Sequence, residues 1–119
     1  MPTEATPLFL VYAGVDLDRP AYRAVASCPP AVDDFRSYDA LGMPYPLRQH
    51  FRATGVSMFT DRRALEAHTR KYGLPPSVAT LDLASPYVVW TASVRSSHLT
   101  VWAPASLLLE LVVQCEDHG

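Results

Sequence analysis

Three short stretches of this 119-residue chain carry side chains able to do chemistry. The first is Arg52-Ala53-Thr54-Gly55-Val56-Ser57-Met58-Phe59-Thr60-Asp61, the second His98-Leu99-Thr100-Val101-Trp102, and the third Glu110 within the apolar run from Leu107 to Val113. Ser57 offers a hydroxyl beside a glycine, and Arg52 a planar, bidentate donor for phosphate or carboxylate. Strand alternation sets His98, Thr100 and Trp102 on one face. There an imidazole, a hydroxyl and an indole could line a pocket for an aromatic or nucleotide-like ligand. An inward Glu110 would need a partner and would be a candidate acid. Each group also has a plain structural reading. Ser57 can sit in a buried strand, bonded to a backbone carbonyl or to the start of the next helix. The His98 face can be a packing surface, and Glu110 can mark a helix–strand junction.

Other signatures are missing from the sequence. There is no G-x-S-x-G elbow, no glycine-rich phosphate loop, and no H-x-x-x-H or C-x-x-C spacing for a metal among His50, His68, His98 and His118. The expectation is therefore a chain with no cofactor and no metal.

Charge is concentrated in the middle. Residues 48–72 hold Arg48, Arg52, Arg62, Arg63, Arg70 and Lys71 against Asp61 and Glu66, while the flanking segments are each net acidic. Arg62, Arg63 and Arg70 together with Arg52 and Trp102 are the candidate ligand-binding residues. Their fork-shaped donors suit a carboxylate or phosphate. An overall charge of −2 argues against nucleic acid and against an anionic membrane surface.

The elements that must position these groups are short. Leu8–Tyr12 reads as a strand buried on both faces, and residues 16–30 as irregular, with at most one turn of helix. Residues 33–42 read as a short helix capped by Asp33 and closed by Gly42. Met43–Phe51, with two prolines, reads as a loop. Gly55–Phe59 is a central strand, and Asp61 caps a helix through Tyr72 that Gly73 ends. Residues 77–83, 87–94 and 98–102 read as strands. Pro104 at N1 starts a short helix, and a last strand runs through Cys115. The order predicts one α+β domain over residues 1–119, with a mixed, mainly antiparallel sheet, two to three short helices and loose ends at 1–7 and 116–119.

Half of the residues (49%) are apolar and 18% charged, the profile of a globular protein. No basic leader opens the chain, and no apolar run is long enough to span a bilayer. With only Cys28 and Cys115, the expectation is a cytoplasmic protein with two free thiols.

Residues 33–42, "GVSMFTD" with its following helix, and "HLTVWAPASLLLELV" together resemble an uncharacterised family of small stand-alone proteins from high-GC bacteria. That resemblance supports the fold and implies no activity. The chain also resembles, more weakly, the ADP-ribosyltransferase fold, with Ser57 at the position of its strand serine and Glu110 at that of its late glutamate. It departs from that pattern in its first strand, which has Tyr12 in place of an arginine or histidine, and in lacking a second acid near Glu110. Two functions follow as expectations. One is a binding or regulatory protein whose basic segment, 48–72, engages an acidic protein or an anionic small molecule. The other is a nucleotide- or NAD-handling enzyme or toxin-like effector with Ser57, His98 and Glu110 as its catalytic groups.

Overall fold

A computed structural model of the chain describes residues 9–13, 19–37, 39–42, 54–85, 87–93 and 96–117. Among the described residues seven strands lie in one sheet: β1 (Phe9–Ala13), β2 (Ala21–Val25), β3 (Val56–Phe59), β4 (Ser77–Leu81), β5 (Val89–Ser93), β6 (His98–Trp102) and β7 (Val112–Glu116). Their spatial order is β1-β5-β6-β3-β2-β4-β7, and every pairing among them is antiparallel. Helix α1 (Arg62–Tyr72), helix α2 (Ala105–Glu110) and a 3-10 turn (Val32–Phe35) complete an α+β domain.

Alternation assigns the two faces. Val56 and Met58 of β3 pair with Val101 and Leu99 of β6, and all four are buried in the main core with Trp90, Ala79 and Leu81. Phe35 of the 3-10 turn and Leu108 of α2 belong to the same cluster, so these two short elements close that face. Sealing a side chain such as Leu108 contributes about 1.5–3 kcal/mol relative to leaving it in water. On the opposite face, Leu65 and Ala64 of α1 pack on Phe59, Val78, Tyr22 and Ala24. Helix α1 begins as its sequence demands: the Asp61 side chain accepts a hydrogen bond from the Arg63 N–H at 3.0 Å, and Gly73 closes the helix at φ +65°.

Strands β3 to β7 and helix α1 lie where the sequence places them, with three local corrections. Residues 21–25, read as irregular, form β2 and pair along their whole length with β4. The helix expected over 33–42 is only a 3-10 turn, and Asp33 does not cap it. The neighbouring Asp34 carboxylate accepts from the N–H groups of Ala31 (2.8 Å) and Ala26 (3.0 Å), which pins the turn to the end of β2. Pro104 stands at the N-cap of α2, one position earlier than N1.

The largest correction concerns the cysteines. Cys28 and Cys115, read as free thiols, are joined in a disulfide across 87 positions, with their Cα atoms 5.6 Å apart. It ties the chain just beyond β2 to the edge strand β7. Among the described residues no helix is long and apolar enough to cross a membrane.

Candidate functional site

The sheet opens between β2 and β3. These strands pair only at Tyr22 and Phe59, whereas β3 and β6 pair from Val56 through Phe59. The Thr60 N–H bonds the Ser97 carbonyl on the β6 side at 2.9 Å. By alternation the backbone groups of Ser57 therefore turn toward β2. The register sets Ala24 of β2 opposite Ser57, but the ladder does not extend that far, and an arginine takes its place. Arg23 donates from Nη1 to the Ser57 carbonyl (2.7 Å) and from Nε to the Asp34 carbonyl (2.6 Å). One guanidinium thus spans β2, β3 and the 3-10 turn, satisfying the Ser57 carbonyl that a continuous ladder would have paired and a carbonyl of the turn.

Over this opening lies a cleft of about 580 Å3. Its polar lining includes Arg23, Arg36, Ser57, His68, His98 and Thr100, and its apolar lining includes Phe59, Leu65 and Leu74. The volume falls in the range of sites that enclose small organic ligands. Arg36 is half engaged with Asp33, 2.9 Å away, and both groups are exposed enough for water to weaken the pair.

Ser57 and His98 meet on the cleft wall. They are 41 positions apart in the chain, and the register of β3 against β6 makes them diagonal neighbours. Ser57 Oγ lies 2.6 Å from His98 Nε2. The His98 ring stands edge-on to Phe59 with centroids 5.2 Å apart, and Phe59 touches His68 at 5.3 Å. The imidazole is therefore held on one side by its hydroxyl partner and on another by an aromatic ring.

Ser57 is exposed and bonded to a histidine, which corrects the expectation of a buried serine bonded to backbone or to α1. The alternation argument for β6 holds, because Thr100 lines the cleft beside His98, and Trp102 packs one register step further along. Trp102 Nε1 donates to Thr54 Oγ1 at 3.0 Å. Gly55 is required there: a Cβ would lie 2.9 Å from Trp102 Cε2 and would also collide with the Thr100 methyl group.

The other candidates lie elsewhere. Glu110 ends α2, is exposed, and does not line the cleft. Helix α2 packs on the core face, whereas Ser57 and His98 share the other face. Arg52 lies outside the described residues. Arg62 forks onto Glu116 with two contacts of 2.8 Å and reaches Glu66 at 3.2 Å. Hydrogen bonding to Glu116 drives the guanidinium still further toward its protonated form, aided by the charges of Glu116 and Glu66. The fork thus clamps α1 to β7. Arg63 and Arg70 are exposed on α1. Among the described residues no group of three or more His, Cys, Asp and Glu side chains is arranged to hold a metal ion.

Sequence reasoning missed Arg23 and Arg36 as site residues. Recognising Ala21-Tyr22-Arg23-Ala24-Val25 as a strand would have placed Arg23 beside a neighbouring strand. Nothing local marks Arg36. No protein family, no curated protein and no solved structure matches this chain.

Proposed function

We propose that this protein binds a small organic anion with an apolar portion in the cleft between β2 and β3. The observation that carries the reading is the Ser57–His98 pair, set 2.6 Å apart on the wall of a cleft of about 580 Å3 that arginines also line. Arg36 supplies positive charge beside the Asp33 and Asp34 carboxylates, the imidazoles of His68 and His98 add hydrogen-bonding groups, and Phe59, Leu65 and Leu74 supply an apolar surface. The ligand-binding part of the basic segment is then its strand, β3, and the inner side of α1. Arg63 and Arg70, exposed on the same helix, are the docking groups for an acidic protein, if one engages this segment.

The Cys28–Cys115 disulfide supports a working place in an oxidising compartment over the reducing cytoplasm suggested by the sequence.

The test is a thermal-shift screen with organic anions: fatty acids, aromatic carboxylates, nucleotides and NAD. A ligand of the native state raises the melting temperature as its concentration exceeds its Kd. The reading expects at least one class to do so, with the shift reduced in Ser57→Ala and unchanged in Arg63→Ala. A flat screen, or equal shifts in both variants, would refute it.

The convergence of Ser57, His98 and Arg23 on one cleft also favours a second reading, in which the anion is a nucleotide or NAD that is consumed. That reading does without Glu110. It expects NAD to disappear on incubation with the wild-type protein and to persist with His98→Ala.

A further inference from the structure

We propose that Ser57 is a nucleophile and His98 its general base, and that the pair cleaves esters with an apolar acyl group seated in the cleft. The inference rests on the cleft being a ligand site and adds a reaction to it. A serine hydroxyl is a weak nucleophile until a base within hydrogen-bond reach takes its proton. Here the base stands 2.6 Å from Oγ through Nε2. The ring does not depend on that bond alone for its orientation, since it also packs edge-on to Phe59. Ser57 is exposed toward the cleft, where a reacting carbonyl can approach.

The surroundings fit the charge that such a step creates. Oγ attacks the ester carbonyl carbon, Nε2 takes the hydroxyl proton, and negative charge gathers on the carbonyl oxygen. Alternation turns the Ser57 N–H to the same open edge as its carbonyl, which the Arg23 guanidinium meets at 2.7 Å. A backbone donor and a fixed positive charge thus flank the serine, the groups that stabilise an oxyanion. The C–O bond to the alcohol then breaks, and the imidazolium returns its proton to the departing alkoxide. Water attacks the acyl-serine, giving its proton to His98 and then, through it, to Ser57, with release of the acid. Phe59, Leu65 and Leu74 provide the apolar surface for the acyl group.

The experiment uses the intact, oxidised protein with an alkyl fluorophosphonate, read by intact mass and peptide mapping, alongside hydrolysis of 4-nitrophenyl butyrate. In the labelling step Oγ bonds to phosphorus, fluoride leaves, and His98 accepts the proton. One adduct per chain, on Ser57, is expected. In His98→Gln labelling should slow by about 100-fold or more, the scale of a lost general base. Ser57→Ala should take no label, and its ester hydrolysis should fall to background. Melting curves of both variants are the control that they remain folded. No adduct, an adduct on another residue, or equal labelling in His98→Gln overturns the inference. The same samples give the thermal shift with organic anions. A shift without an adduct leaves the binding function standing and removes the reaction, and an adduct without a shift does the reverse.

Discussion

Breaking the Cys28–Cys115 bond is expected to cost as much stability as truncating a buried core side chain. The bond spans 87 positions, so it restricts most of the unfolded chain. The loop-entropy relation gives about 4.6 kcal/mol for a loop of that length, while disulfides typically deliver about 2–4 kcal/mol. A chain of 119 residues has an unfolding entropy near the melting point of about 0.25 kcal/mol/K. The double variant Cys28→Ala, Cys115→Ala should therefore melt about 8–16 °C below the wild type, and about 18 °C below at the entropic limit. Circular dichroism melts of the oxidised protein, the reduced protein and the double variant make the measurement. The reduced protein and the variant should coincide, which separates loss of the bond from effects of the substitutions. If both melt within about 3 °C of the oxidised protein, the bond contributes little and the loop argument is refuted.

Gly55→Ala should destabilise the fold by about 1–3 kcal/mol, because the new methyl group must displace Thr100 and Trp102; a denaturant midpoint unchanged from wild type would contradict the packing. Arg62→Met, Glu116→Gln and the pair of them form a double-mutant cycle, expected to show a coupling of about 0.5–1 kcal/mol that shrinks in high salt, as befits a partly exposed bidentate pair. Ser57→Ala should change stability by less than about 0.5 kcal/mol, since the residue is exposed, while it weakens ligand binding; a loss of stability as large as that of a core residue would return Ser57 to a structural role.

What could be read from the sequence depended on how local the determinants were. Helix α1 was legible because its cap, its apolar spacing and its terminal glycine all lie within 13 residues, Asp61 to Gly73. Alternation likewise placed Ser57 with Phe59, and His98 with Thr100 and Trp102. The meeting of the two sets depends on the register of β3 against β6, which is set across 41 positions and carries no local mark. Strand β2 escaped notice because Ala21-Tyr22-Arg23-Ala24-Val25 has few β-branched residues, and pairing with β4 supplies what propensity does not. Ser57 was read as buried with its strand, and the cleft that exposes it is built from segments distant in the chain, which leave no local mark. Two cysteines 87 apart, without a framework of others, gave no sign of their pairing.

Gly55 and its neighbours have a further use, in spectroscopy. The two tryptophans of the chain report on opposite faces of the same sheet. Trp90 is buried in the main core, and Trp102 lies half-buried on the cleft face, its indole N–H bonded to Thr54 and its ring against Gly55. Trp90→Phe leaves the indole that packs against Gly55, and Trp102→Phe leaves the one buried in the main core. The two faces of the sheet can therefore be followed as two separate optical signals from the unlabelled protein.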